Sequence, residues 1–169
     1  MNKNNINGMI DRLLKEHIGG EIFFDNLDES VRNNSHNILD LMCERVEDMI
    51  RKLDTDIVIV SGSFGRVFST YVSEHFGRYP WNMIPIVCVE GGLRKGNRVM
   101  NFGELLECPD GNYLFVDDSF YSGKTRDVIS EKINEYDGTL VKTMVFYDGS
   151  INKDDTVESF YRYHDVKSR

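Results

Sequence analysis

The stretch NYLFVDDSFYSGKT, Asn112 to Thr125, runs from four consecutive apolar residues into two adjacent acids and ends in a small-residue turn carrying a lysine. An apolar run this short, bounded by polar residues, has the length of a buried strand rather than a helix. Carboxylates bind hydroxyls or metal ions, and a glycine turn opening a helix binds phosphate through backbone N–H groups and the helix dipole. A ligand that is both sugar and phosphate would use both halves.

The flanking sequence repeats the alternation. Upstream, DIVIV (56–60) is a second β-branched run, ending in the glycine turn SGSFGR (61–66), and the helical stretch VFSTYVSEHFG (67–77) follows and stops at Gly77. Then come MIPIVCV (83–89), a glycine-rich polar excursion, and the opening stretch itself. Downstream, TRDVISEKINEYDG (125–138) places Val128, Ile129, Ile133 and Tyr136 on one helical face with Gly138 as the stop signal, and TLVKTMVFY (139–147) is another strand. Strand, helix, strand, excursion, strand, helix, strand is the signature of βαβ units in an α/β fold with a parallel sheet covered on both faces. Ligands in such sheets bind beyond the carboxyl ends of the strands, where both glycine turns lie.

Before this core the chain reads as helical. Ile38, Leu41, Met42, Val46, Met49, Ile50 and Leu53 recur at helix spacing, and GEIFF (20–24) is a candidate edge strand. No repeat, low-complexity run or long linker divides the 169 residues, so one domain is expected: a helical N-terminal part (1–55), a core (56–148) and a C-terminal tail (149–169). With 40% hydrophobic and 28% charged residues and no apolar segment of membrane-spanning length, the composition is that of a soluble protein without a membrane partner. The polar, amphipathic N-terminus does not read as a signal peptide, which makes the cytoplasm the expected compartment. Cys43, Cys88 and Cys108 are odd in number and lack CxxC spacing, against both a disulfide framework and a zinc site. A net charge of −8 disfavours nucleic acid as a partner.

Two phosphate-binding motifs compete for the opening stretch and fail. A Walker A loop ending in Gly123 and Lys124 needs a glycine at position 118, where Asp118 would repel the phosphates. The acid pair also suggests an aspartyl-phosphate enzyme, but that pattern wants acids one residue apart, and adjacent strand residues point to opposite sides. A purely structural account, with the acids starting a loop and Ser122 to Thr125 capping a helix, explains each residue singly but not their combination.

The combination resembles the phosphoribosyl-pyrophosphate (PRPP) loop of type I phosphoribosyltransferases: an apolar strand, two acids, three variable residues, then Thr or Ser, Gly, a small residue or Lys, and Thr. The Gly-Lys-Thr ending is nearest to the hypoxanthine-guanine branch. The resemblance implies that Asp117 and Asp118 hold the ribose hydroxyls and steady a Mg²⁺ cofactor, and that Tyr121, Ser122, Gly123, Lys124 and Thr125 cradle the 5′-phosphate. It extends to residues 56–148. By the same likeness Ser61, Gly62, Ser63, Phe64, Gly65 and Arg66 meet the pyrophosphate, and CVEGGLRKGNRVMNFGELLE (88–107) is the loop that closes over PRPP, with Arg94 and Lys95 as its catalytic basic pair.

The fold implied is a Rossmann-like parallel sheet flanked by helices, with the N-terminal helices as hood or dimer surface and a homodimer as the expected assembly. The function implied is transfer of 5-phosphoribosyl from PRPP to a nucleobase or related N-heterocycle, as in purine or pyrimidine salvage. The alternative is a non-catalytic relative that senses PRPP or a nucleotide. One departure stands out: where hypoxanthine-guanine enzymes carry an aspartate near the purine N7, this chain has Tyr121. Tyr147 and Asp148 are the candidate base contacts, and His164 the one histidine considered for the site.

Overall fold

The computed structural model describes residues 38–94, 97–101 and 110–162. Helix α1 (Ile38–Leu53) opens the described chain, with Asp40 in its first turn and Arg51 and Lys52 in its last, each charge complementing the helix dipole. Leu39, Met42, Cys43, Val46, Met49 and Ile50 are buried along one face. The stripe therefore includes Leu39 and Cys43 and leaves Leu41 half-buried, a small rotation from the pattern read in the sequence. Cys43 is a core residue here, and burial pushes its thiol far above the usual range. The candidate strand at 20–24 lies outside the described residues.

Strand β1 (Ile57–Ser61) is buried at every position and leads directly into α2 (Gly62–His75). This corrects the sequence reading, which put a loop at 61–66 and began the helix at Val67. Two glycines allow the shortcut. Gly62, at φ +59, turns the chain from extended Ser61 into the helix within one residue. Gly65 lets α2 lie against β1, because a Cβ there would stand 2.9 Å from the Val60 carbonyl carbon.

The rest of the sheet comprises β2 (Ile86–Arg94), β3 (Asn97–Asn101), β4 (Asn112–Phe120), β5 (Thr139–Asp148) and β6 (Val157–Arg162), with α3 (Lys124–Asn134) between β4 and β5. The spatial order is β3-β2-β1-β4-β5-β6. All neighbours are parallel except β2 and β3, whose antiparallel register runs from Glu90↔Asn101 to Arg94↔Asn97. The first half of the polar excursion is thus a β-hairpin rather than an open loop. Lys95 and Gly96 lie between its paired ends and outside the described residues, as do 102–109.

Helices cover both faces. Val58, Val60, Leu114, Val116 and Phe146 pack with α1 and α2, whereas Ile57, Ile59, Tyr113 and Phe115 pack with Ile129 and Ile133 of α3. Part of the segment read as a C-terminal tail joins the sheet as β6, with Phe160 against Phe146 at 5.8 Å between ring centroids. Its composition, VESFYR, suits the edge position it holds among the described strands. Among the described residues no helix is long and apolar enough to cross a membrane.

After α3 the residue in the left-handed region is Asp137, at φ 61, and not Gly138. Gly138 is required for space: a Cβ would stand 2.6 Å from Tyr113 Cε2 and 2.8 Å from Ile133 Cγ2. Gly138→Ala is therefore expected to cost about 1–3 kcal/mol by overpacking. Gly77→Ala, where a Cβ meets nothing within 4 Å, serves as the control and stays within about 0.5 kcal/mol. Urea midpoints of the two variants check both values.

Candidate functional site

From β1 the chain turns one way along the sheet to β2, and β4 then starts on the other side of β1. The strand order reverses between β1 and β4, which makes their carboxyl ends the topological switch point, where a crevice opens in doubly wound sheets. The residues at those ends are Ser61 and Gly62 on one side and Asp117 and Asp118 on the other.

Strand β4 continues through both acids to Phe120, so Asp117 and Asp118 belong to the strand and point to opposite faces of the sheet. Both are almost wholly buried. The register that sets Val60 beside Val116 brings Ser61 beside Asp117, and the Ser61 hydroxyl donates to Asp117 Oδ2 at 2.9 Å. Asp117 Oδ1 accepts the Asp118 N–H at 3.0 Å, and the Ser119 hydroxyl donates to Asp118 Oδ1 at 3.2 Å. Burial first, and the Asp118 charge second, hold the Asp117 carboxyl well above its usual range, against the pull of the Ser61 and Asp118 N–H bonds. Two carboxylates so placed attract hydroxyl donors or a cation. Among the described residues no group of three or more His, Cys, Asp or Glu side chains is gathered as a metal site.

The turn after β4 supplies the complementary charge. Gly123 sits in the left-handed region at φ 73 and immediately precedes α3. The first helical bond runs from Asp127 N–H to the Gly123 carbonyl at 2.9 Å, and no side chain caps this N-terminus. Its leading N–H groups have no intrahelical acceptor and carry the positive end of the helix dipole. Ser122 and Lys124 are exposed beside them.

The remaining candidates divide into those at the crevice and those turned into the fold. Phe64 and Gly65 are buried in α2, and Ser63 lies in its first turn. Arg66 is exposed, with Nη1 3.3 Å from Glu90 Oε1, which ties the start of α2 to β2. Arg94 ends β2 at the hairpin tip, and Lys95 lies outside the described residues, as does His164. Tyr147 is buried, and the half-exposed Tyr121 ring meets it edge-on at 6.0 Å. Burial first, then Tyr147 and Asp118, push the Tyr121 phenol up to about 12, so it is neutral throughout the physiological range. Asp148 is engaged within the fold: Oδ1 accepts the Ser150 N–H and hydroxyl at 2.9 and 2.6 Å, and Oδ2 lies 3.6 Å from Arg162 Nε.

Two residues at the back of the turn went unread in the sequence. Arg126 donates to Asp154 and to Thr156, linking α3 to the loop between β5 and β6. Burial acts to raise the Asp154 carboxyl, but the bonds from Thr156 and Arg126 outweigh it and hold the group at about 2. Gly149 is the other. A Cβ there would stand 2.4 Å from Tyr121 Cε1, and its N–H donates to the Phe120 carbonyl at 2.8 Å. The available signal for Arg126 was its position, since a cation in the first turn of a helix opposes the dipole and needs a partner.

No family model matches the chain, and no curated protein matches it in sequence. Solved structures do match its fold. A purine phosphoribosyltransferase from Pyrococcus horikoshii Ot3 aligns with 73% of this chain and 82% of its own at 18% identity and a TM-score of 0.55. The adenine phosphoribosyltransferase of Leishmania donovani aligns with 82% of this chain and 70% of its own at 13% identity and a TM-score of 0.56. That of Thermoanaerobacter pseudethanolicus covers 74% of this chain and 80% of its own at 10% identity and a TM-score of 0.52. These neighbours are purine and adenine proteins, so the hypoxanthine-guanine likeness of the Gly-Lys-Thr ending finds no specific support. The fold is that of the type I phosphoribosyltransferases, five parallel strands between layers of helices.

Proposed function

We propose that this protein transfers the 5-phosphoribosyl group of PRPP to a ring nitrogen of a nucleobase or related heterocycle and releases pyrophosphate. The observation that carries the reading is the bond between Ser61 and Asp117, which joins the two glycine turns at the switch point of the sheet. On this reading Asp117 and Asp118 receive the ribose hydroxyls. The N–H groups at the start of α3, with Ser122, Lys124 and Thr125, receive the 5′-phosphate. The segment Ser61 to Arg66 faces the pyrophosphate.

In the reaction the C1′–O bond to pyrophosphate breaks as the C1′–N bond to the base forms, through a transition state with oxocarbenium character. The bonding pair leaves with pyrophosphate, and the base nitrogen supplies the new pair. A protein nucleophile is not needed. What the chain supplies is orientation of the two reactants and exclusion of water. Arg94, and Lys95 beside it, would meet the developing charge on pyrophosphate as the hairpin end approaches. The exposed ring of Tyr121, backed by Tyr147, offers the heterocycle an apolar face next to the sugar site.

The residues present suit Mg²⁺ as a partner of the substrate. Burial, and after it the neighbouring Asp118 charge, raises Asp117, and a cation would relieve both. Mg²⁺ bound by one or two carboxylates and by substrate phosphate oxygens is its ordinary mode in phosphoryl sites. Asp117 and Asp118 would hold it, directly or through water, and it would neutralise charge on the leaving group.

Calorimetric titration of PRPP with Mg²⁺ tests the reading. Wild type is expected to bind, and the Asp117→Asn, Asp118→Asn double variant to lose at least about tenfold in affinity, since each hydrogen bond to a charged group contributes roughly 1.5–3 kcal/mol. Equal affinity in both proteins would remove the sugar site. Binding by wild type without pyrophosphate release on any of a panel of bases would leave a PRPP sensor in place of an enzyme.

The same carboxyl gives a stability prediction. A carboxyl whose folded pKa is raised contributes stability that is present below the unfolded pKa and lost as pH rises through the folded value. With its folded value raised, Asp117 costs the free protein stability once pH passes the unfolded carboxylate range, and Asp117→Asn, of the same shape but never ionised, is expected to melt higher at neutral pH. The gain is about 2–4 °C for each kcal/mol relieved in a chain of this size, and it shrinks as pH is lowered towards 4. Thermal melts of the two proteins across that range check it. A variant that is less stable at neutral pH would overturn the prediction.

A further inference from the structure

We propose that Arg126 is a positioning residue for the phosphate turn: it braces the back of the turn against the loop between β5 and β6 and takes no part in phosphate binding. The inference rests on the sugar-phosphate reading of the turn given above. Arg126 is a cation three residues past the left-handed glycine, in the place where a phosphate ligand would be sought. Its guanidinium is nonetheless engaged on every side the structure describes. Nη1 donates to Asp154 Oδ2 and, at 3.2 Å, to Thr156 Oγ1; Nε and Nη2 donate to Asp127 Oδ1 at 3.1 and 2.8 Å. Its Cζ lies 5.1 Å from the centroid of the Phe120 ring, and its side chain is 21% exposed. A cation with carboxylates from two elements is already neutralised, and drawing it to a phosphate would strand Asp154.

What the brace fixes is the turn itself. A Cβ on Gly123 would stand 3.2 Å from Arg126 Nη2 and 3.2 Å from Phe120 Cζ, so the guanidinium and the ring form the wall against which the left-handed residue is laid. Asp154 is a firm anchor. Its Oδ1 accepts the Thr156 N–H at 2.9 Å and hydroxyl at 2.5 Å, and its backbone carbonyl accepts the Val157 N–H at 3.1 Å, where β6 begins. A second strut, Gly149 N–H to the Phe120 carbonyl, holds the start of the same turn. The edge strand and its loop thereby set the direction of the N–H groups that open α3. This matters for an anion site, where small misplacements of donors lose much of the interaction.

A double-mutant cycle on ribose 5-phosphate affinity decides the role, with Arg126→Gln, Asp154→Asn and the pair measured by calorimetry at a temperature where melts show all four proteins folded. If Arg126 positions the turn, each single variant weakens binding by about tenfold and the double variant is no weaker than either, because both remove one brace. Arg126→Lys, which keeps one bond to Asp154, recovers part of the loss. A direct phosphate ligand behaves differently. Asp154→Asn would then leave affinity unchanged or tighten it by freeing the guanidinium, and that outcome overturns the proposal, as does an Arg126→Gln protein that binds like wild type. Failure of wild type itself to bind ribose 5-phosphate is a separate result that removes the sugar-phosphate reading and this inference with it.

Discussion

Everything at the site depends on two carboxylates held at the end of a buried strand, at the point where the sheet changes direction. Burial of acids is costly unless they are bonded or paired, and here Ser61, Ser119 and a backbone N–H supply bonds. The arrangement persists because β4 is locked on both sides. Its apolar residues fill both layers of the core, and its register to β1 is what brings the Ser61 hydroxyl to Asp117. A shift of that register by one residue would turn Asp117 to the other face and leave the hydroxyl unpaired. The sheet therefore holds two buried carboxyls in place, at a cost that a hydroxyl donor or a cation would relieve. This is a stability cost located at the candidate site, a common exchange where function needs a group the fold would rather neutralise.

The parts of this molecule legible in the sequence are those whose pattern is set by burial. The runs 57–60, 113–116 and 144–147 are continuous and apolar because strands in the middle of a doubly covered sheet meet helices on both faces, and each lies in a strand. The acid pair was legible for the opposite reason, as polar residues where a buried strand has no use for them. The misread parts follow from geometry that residue types do not announce. SGSFGR looked like a loop because two glycines in six residues usually mark one. Here one glycine makes the turn and the other only lets a helix approach a strand. VESFYR was read as tail because an edge strand lacks the apolar continuity of its neighbours. The brace from Arg126 to Asp154 joins residues 28 apart, and no local pattern connects them. Tyr147 and Asp148 were found at the end of β5 as expected, but burial turns one into the core and gives the other to Ser150 and Arg162.

On the proposed reading an acidic chain binds a polyanion, which raises a question of charge. The net charge is −8, and two cations near the crevice are committed, Arg66 to Glu90 and Arg126 to Asp127 and Asp154, which leaves Lys124 exposed in the turn. Attraction by net charge is therefore not the mechanism. On the proposed reading the phosphate is recognised chiefly by backbone N–H groups, which carry partial positive charge without a counter-ion to displace, with Lys124 and the Ser122 and Thr125 hydroxyls beside them. This explains why the conformation of the turn counts for more than its composition. A lysine or arginine can follow a phosphate that moves, but a row of N–H groups cannot, and it must be aimed in advance. The fixed left-handed Gly123, the wall of Phe120 and Arg126 behind it, and the strut from Gly149 are the means of aiming it. Negative charge is then confined to the end of the site where hydroxyls and a cation belong. On that reading the pair of acids and the helix start, six residues apart in one stretch of chain, would face the two poles of a single ligand: sugar at one, phosphate at the other.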